Sequence, residues 1–370
     1  MPSGARTRIL IVDDSAVMRS LLRAVISQDA GLEVAGTAAD GEAALCAIDT
    51  LHPDLVLLDV EMPVMDGLVT LRKLRARSHK IPVIMCSSLT QRGAKVTIEA
   101  LACGASDYVT KPSGQTSREE AMRALSQDLI PRIHALTTPA QTSLAIPARA
   151  PLPVMPPIAP PSPFNPAALV IGVSTGGPAA LDILLPELPA SFPLPVLIVQ
   201  HMPELFTRLL AERLNCRCPL QVHEGVDGEP VRKGSIYIAK GNWHMELRAG
   251  TRSGLPATLR LNKDALENHC RPSVDALFRS AAAVYGAGVL AVVLTGMGSD
   301  GMSGARLIRE HGGVVLAQDA ASSVVWGMPG AVITAGLAHK VLPLKAIAGE
   351  ILRLVCQTHA EARQLREAVV

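Results

Sequence analysis

The sequence predicts an α/β protein of two domains, each a doubly wound and mostly parallel sheet, with a proline-rich linker between them. Three observations carry that prediction. The chain has 370 residues and a mass of 38.9 kDa, more than one ordinary domain holds, so two separate cores are expected. Short apolar runs alternate with amphipathic stretches in both halves, which is the sequence form of βα units. The stretch 136–166 breaks the alternation with ten prolines among Ser, Thr and Ala, a composition that favours extended polyproline conformations and a semi-rigid spacer. The domains are therefore 1–135 and 167–370, with the linker at 136–166.

In the first domain, strands fall at 8–12, 32–38, 54–59, 81–86 and 107–110, each a run whose length suits a buried strand. Helical stretches lie near 15–28, 41–51, 67–77, 91–102 and 117–135. Ligands of such a (βα)5 fold bind at the carboxyl ends of the strands, and the polar residues collect there. The first strand ends in Asp13-Asp14, the third in Asp59, the fourth in Ser87-Ser88, and the fifth leads to Lys111-Pro112. Neighbouring carboxylates repel one another unless a hard dication lies between them, and a few carboxylates plus water are the set Mg²⁺ takes. A serine hydroxyl and a lysine ammonium facing the same carboxylate would steady a phosphoryl group on it. Any one of these aspartates would serve equally well as a helix cap in a βα loop. Their joint placement on neighbouring strand ends is what points to a site.

The second domain opens on the strand 167–173, followed by Ser174-Thr-Gly-Gly-Pro. Residues 172–176 satisfy G-x-S-x-G, the strand-to-helix elbow that exposes a nucleophilic serine, and Pro178 suits a first helical turn. Amides at that helix start would stabilise an oxyanion. The same turn also suits phosphate or a plain capping serine. A nucleophilic serine needs a base held in the right tautomer. The strand 194–200 ends in His201, and the strand 288–295 runs into Gly296-Met297-Gly298-Ser299-Asp300. Singly, His201 reads as structural and Asp300 as the N-cap of the helix after it. Together with Ser174 they form a Ser…His…Asp order on one rim, unlike the Ser…Asp…His order of α/β-hydrolases. His223, His244, His269, His311 and His339 read as solvated or structural.

Composition excludes other classes. Hydrophobic residues make up 48% and charged residues 18% of the chain, as in a soluble globular protein. A net charge of +2 is too near neutral for a nucleic-acid partner held by charge. Two Trp, three Tyr and four Phe are too few for a base-stacking platform. Seven scattered cysteines read as reduced thiols of a cytosolic protein, and Cys216-Arg-Cys218 lacks the second pair a zinc site needs. The uncharged stretch 150–181 carries eight prolines between Pro151 and Pro166 alone, and Gly286, Gly288, Gly296 and Gly298 interrupt the uncharged stretch 281–299. Neither suits a spanning helix, and 281–299 reads as a helix end, a turn and a buried strand. The N-terminus reaches Asp13 without the apolar core of a signal peptide, so a cytoplasmic protein without membrane insertion is expected.

Two resemblances follow from these residues. VDDS, DVEMPVMDG, CSS and DYVTKP, within roughly 6–130, resemble the response-regulator receiver domain. The resemblance implies that Asp59 accepts a phosphoryl group from a histidine kinase. It implies that Asp13 and Asp14, with Asp59 and the backbone carbonyl of Glu61, hold Mg²⁺, that Ser87 and Lys111 contact the phosphoryl group, and that Tyr108 belongs to the responding surface. GVSTGGP, QHMP, HCRPSVDALF, LTGMGSDG and AQDAASSVVWGMPGA resemble the catalytic domain of chemotaxis protein-glutamate methylesterases. That resemblance implies hydrolysis of glutamate γ-methyl esters on methyl-accepting chemoreceptors, with deamidation of particular receptor glutamines. It implies the triad Ser174, His201 and Asp300, with Thr175 and Met297 lining the site, and no cofactor for ester hydrolysis. A rim of Met202, Met297 and Met328 would favour a neutral ester over a charged glutamate. The rival readings are a DNA-binding effector, for which no basic recognition helix is apparent, and a hydrolase of another acyl group.

Overall fold

The computed structural model describes residues 6–77, 79–112, 117–137, 164–250 and 255–367. The chain divides into two compact units between Leu144 and Ala145. Most of the predicted linker, 138–163, lies outside the described residues.

The N-terminal unit runs β1 (Thr7–Val12), α1 (Ala16–Ile26), β2 (Leu32–Ala38), α2 (Gly41–Leu51), β3 (Leu55–Asp59), α3 (Gly67–Ala76), β4 (Val83–Ser87), α4 (Gln91–Ala102), β5 (Asp107–Thr110) and α5 (Arg118–Thr137). Its sheet is parallel throughout, in the order β2-β1-β3-β4-β5. Ile9 to Val12, Leu55 to Leu58 and Val83 to Cys86 are all buried. Unbroken apolar runs of this kind are what strands covered by helices on both faces require. Helix starts are set by side-chain caps: Ser15, Asp40, Asp66 and Thr90 each accept from an amide in the first turn, which is the local reason these helices begin there. Because β1 lies between β2 and β3, the strand order reverses beside it, and that switch point is where doubly wound sheets open a crevice.

The C-terminal unit runs β6 (Ala168–Val173), α6 (Gly177–Leu184), β7 (Val196–Gln200), α7 (Glu204–Asn215), β8 (Gln221–Glu224), β9 (Ser235–Ile238), β10 (His244–Arg248), β11 (Thr258–Asn262), α8 (Val274–Tyr285), β12 (Val289–Val293), α9 (Met302–Glu310), β13 (Val314–Gln318), α10 (Met328–Thr334), β14 (Lys340–Leu342) and α11 (Leu344–Glu367). Seven strands form a parallel sheet in the order β14-β13-β12-β6-β7-β9-β8, and β10 and β11 make a separate antiparallel hairpin. Here β6 is central, with β7 on one side and β12 on the other. The predicted helix end, turn and buried strand at 281–299 correspond to the end of α8, a short 3-10 turn at Gly286–Gly288 and β12. Among the described residues no helix is long and apolar enough to cross a membrane.

Candidate active site

The three central strands of the second sheet deliver the predicted triad to one edge. Val173 pairs with Gln200 in register, so Ser174 and His201 follow immediately at adjacent strand ends. The Ser174 amide donates to Thr295 O at 3.0 Å, which sets the loop after β12 against the serine. Gly296 must be glycine there, since a Cβ would come within 2.8 Å of the Ser174 Cβ.

Asp300 is the most connected side chain of the site. Its Oδ2 accepts from His201 Nε2 at 2.8 Å and from the Val274 amide at 2.7 Å. Its Oδ1 accepts from Asn268 Nδ2 at 2.9 Å, Ser273 Oγ at 2.8 Å, the Asp275 amide at 3.0 Å and the Gly301 amide at 3.0 Å. Val274 and Asp275 are the first residues of α8, whose own N-cap Ser273 makes no side-chain cap bond. Asp300 therefore caps α8 from a distant loop, where the helix dipole favours its charge. It does not cap α9 as the sequence suggested: Gly301, at φ 92, is that helix's N-cap and has no side chain to cap it. Burial pushes the Asp300 carboxyl up, but the hydrogen bond and charge of His201 and the α8 amides hold it down at about 2. Burial pulls His201 down, while hydrogen bonds and charge from Asp300 and Cys270 raise it to about 9.

With Nε2 committed to Asp300, the free ring nitrogen of His201 is Nδ1, and Cys270 Sγ lies 3.8 Å from it. The structure joins His201 to Asp300 directly. Among the described residues no hydrogen bond reaches the Ser174 hydroxyl.

The oxyanion donors narrow on inspection. The Gly177 amide is taken by Ser174 O at 2.8 Å and the Gly296 amide by Val325 O at 3.0 Å. Gly176 (φ 76), Met297 and Gly298 (φ 81) keep amides without a backbone acceptor among the described residues. Thr175 is buried, and Met297 is 37% exposed at the rim. Met202 and Met328 are buried packing residues, so of the three methionines expected at the rim only Met297 is exposed. Sequence reasoning passed over Thr295, whose Oγ1 donates to Thr175 O at 2.9 Å and accepts from the Val325 amide at 3.0 Å. It also left Asn268, Cys270 and Ser273 without a role, though the last two lie inside a quoted motif.

At the switch point of the first sheet, Asp13, Asp14 and Asp59 each bring a carboxylate oxygen within 4.8 Å of the others. Lys111 Nζ sits 2.8 Å from Asp13 Oδ2 and 2.7 Å from Asp59 Oδ2. Asp13 Oδ2 is fully buried and, beyond that ion pair, has no aligned hydrogen bond. One ammonium against three carboxylates, with a buried oxygen whose partner is that same ammonium, is a donor set that fits a hard dication. Burial raises the Asp59 carboxyl, Lys111 opposes the rise and Asp13 adds to it. Burial lowers the Lys111 ammonium, but Asp13 and Asp59 more than offset this and raise it. Ser87 is buried at the end of β4 with its hydroxyl on Ser88 O at 3.1 Å. Glu61 follows β3 in the same loop, its amide 3.5 Å from Asp59 Oδ1 and its side chain 3.5 Å from Arg92. Tyr108, expected on the surface, is only 6% exposed, because its side chain turns into the unit.

Comparison with known proteins identifies both domains. Residues 9–123 match the response regulator receiver domain family and residues 169–351 the CheB methylesterase family. A protein-glutamate methylesterase/protein-glutamine glutaminase of Nocardioides sp. is 50% identical over 94% of this chain and 94% of its own length. The chain belongs to this family. A relative of the same description from Trichodesmium erythraeum is 46% identical over 94% of this chain and 99% of that protein. The CheB methylesterase catalytic domain of Thermotoga maritima is 44% identical, with a TM-score of 0.50, covering 52% of this chain and 100% of that one. The chain is thus a phosphorylation-regulated response regulator with a methylesterase output domain, and the family's relatives also carry the glutaminase description.

Proposed function

We propose that Ser174, His201 and Asp300 are the catalytic triad of this methylesterase, and that its substrates are glutamate γ-methyl esters and particular glutamines of methyl-accepting chemoreceptors. The observation that carries the reading is the His201 Nε2–Asp300 Oδ2 bond of 2.8 Å at the edge where Ser174 emerges. Asp300 fixes the tautomer, so Nδ1 of His201 takes the Ser174 proton as the hydroxyl attacks the ester carbonyl. Amides of Gly176, Met297 and Gly298 receive the oxyanion, and Thr175 and Met297 line the approach. The same nitrogen returns the proton to the departing methoxy oxygen, or to the departing amide nitrogen of a glutamine, giving methanol or ammonia and an acyl-serine that water then hydrolyses to the carboxylate. No step draws on a cofactor.

In the receiver, Asp59 takes the phosphoryl group from a histidine kinase. Asp13, Asp14, Asp59 and the Glu61 carbonyl would hold Mg²⁺, which supplies charge neutralisation for phosphoryl transfer, while Ser87 and Lys111 steady the group. The reading keeps the receiver at 1–135, the linker at 136–166 and the esterase at 167–370, in a cytoplasmic protein. Purified full-length protein incubated with a methyl-labelled chemoreceptor fragment should release labelled methanol. No release above a protein-free control would overturn the substrate assignment.

A further inference from the structure

The thiol beside the candidate base belongs to no step above, yet its placement is that of a metal ligand. Cys270 Sγ and His201 Nδ1 are 3.8 Å apart. A tetrahedral Zn²⁺, with bonds of about 2.3 Å to sulfur and about 2.0–2.1 Å to nitrogen, spans a sulfur-to-nitrogen gap of about 3.6 Å. A slightly widened angle, or a small turn of the Cys270 side chain, closes the difference. The Nε2–H of His201 is committed to Asp300, so Nδ1 is the nitrogen that can ligate, once the imidazolium has given up its proton there. A histidine that binds zinc through one nitrogen and donates from the other to a carboxylate is the usual orientation of such ligands. Cys270 and His201 are both partly exposed, so an ion can reach them, and water can fill the remaining positions.

We propose that Cys270 and His201 form an inhibitory site for a thiophilic divalent cation, with Zn²⁺ as its natural fit and Asp300 as the carboxylate that orients the histidine through its Nε2. On binding, the Cys270 sulfur and Nδ1 of His201 each give up a proton to solvent, and each forms one bond to the metal. No electron is transferred. The bound ion occupies the nitrogen that must take the Ser174 proton, so ester hydrolysis stops until the metal is removed. The binding rests on this pair alone, whereas the inhibition rests on the reading of His201 as the base. Mg²⁺ does not compete, because a hard oxygen-seeking ion has little affinity for thiolate, so the receiver and esterase respond to different metals.

The test uses full-length protein with Mg²⁺ in excess to fill the receiver. Added Co²⁺ should give a near-ultraviolet thiolate-to-metal charge-transfer band, and Zn²⁺ should displace it. The band should vanish in Cys270→Ser and in Cys270→Ala and survive in the Cys216→Ser/Cys218→Ser double variant. Zn²⁺ should inhibit methanol release, EDTA should restore it, and each variant is normalised to its own metal-free rate. Loss of this ligand should raise the half-inhibiting Zn²⁺ concentration at least about 10–100-fold, the range set by loss of weaker outer-shell partners. A band that persists in both Cys270 variants, or equal Zn²⁺ sensitivity of wild type and variants, would overturn the proposal. A Cys270-dependent band with hydrolysis unaffected would uphold the metal site and overturn the role of His201 as base.

Discussion

Replacing Asp300 by asparagine tests the site at the point where its geometry is most constrained. All six groups around the carboxylate are donors: His201 Nε2, Asn268 Nδ2, Ser273 Oγ and the amides of Val274, Asp275 and Gly301. A carboxylate accepts from all of them, but an amide must turn its NH2 toward some. At the Oδ1 position it would face two fixed backbone N–H groups and the Asn268 amide. At the Oδ2 position it faces only Val274 N–H and His201, and His201 can become an acceptor by moving its proton to Nδ1. The second choice costs less, and it leaves one buried donor unsatisfied, worth about 1–3 kcal/mol. For a domain of this size that lowers the melting temperature by about 2–4 °C per kcal/mol. The same choice puts the proton on the nitrogen that must accept one from Ser174. Such a tautomer error lowers kcat by about 10⁴ in a serine protease. The pH profile should change as well. In the wild type the Asp300 bond and the Cys270 contact hold His201 protonated up to about 9, so kcat/KM should climb with pH toward that value. Without the Asp300 carboxylate, the midpoint of the residual activity should move down. Initial rates of methanol release across pH and a calorimetric melt measure both effects. A variant that keeps more than a tenth of the activity with an unchanged profile would refute the reasoning.

Ser174→Ala should abolish methanol release while leaving the melt unchanged, since the hydroxyl makes no hydrogen bond among the described residues; activity near wild type would remove the nucleophile. The double variant Ser174→Ala/His201→Ala should lose scarcely more activity than either single one, because the residues act as a unit, and additive losses would separate them. Chelation by EDTA should block phosphorylation of Asp59 and leave basal ester hydrolysis intact, and loss of both would tie the esterase to a metal. Deleting residues 1–160 should raise basal hydrolysis roughly 5–150-fold, the span of a 1–3 kcal/mol coupling between tethered domains, and Asp59→Ala should hold the full-length protein at its low rate. A deletion no faster than the unphosphorylated whole would mean that phosphorylation activates rather than relieves.

Legibility in the sequence followed burial on both faces. Strands β1, β3, β4, β6, β7 and β12 are continuous apolar runs, and their ends, where the chemistry sits, were readable from the next polar residue. The aspartates divided cleanly in space: Asp40 and Asp66 cap helices, while Asp13, Asp14 and Asp59 converge. That separation came from strand ends rather than from residue type. The β10–β11 strands, HMELR and TLRLN, carry the period-2 alternation of half-buried strands, a signal different from the unbroken apolar runs that mark the parallel sheet, and were passed over. The partners of Asp300 were missed for a different reason. Asn268 and Ser273 precede α8, a loop whose path depends on left-handed residues at Asn268 (φ 53) and His269 (φ 62), and single-residue spacing carries no trace of that path.

Asp300 shows why the contacts that hold a site together need not be separable from those that hold a fold together. Two of its acceptor bonds go to the first amides of α8, which would otherwise be buried without partners. His201 first, and then the positive end of the helix, keep the carboxyl at about 2. An anion so stabilised stays ionised when His201 acquires the serine proton, and its bond to the imidazolium strengthens at that moment. Linkage gives the sign: a carboxyl whose pKa falls on folding adds stability above its ordinary 3.8 and loses it as pH drops toward 2. A histidine raised to about 9 adds stability below its ordinary 6.5 and loses it as pH rises through 9. The pair therefore stabilises the domain fully only where His201 is protonated, while catalysis needs the same proton gone. With His201 as the proposed base, activity should rise toward alkaline pH at the expense of the ion pair that orients its ring.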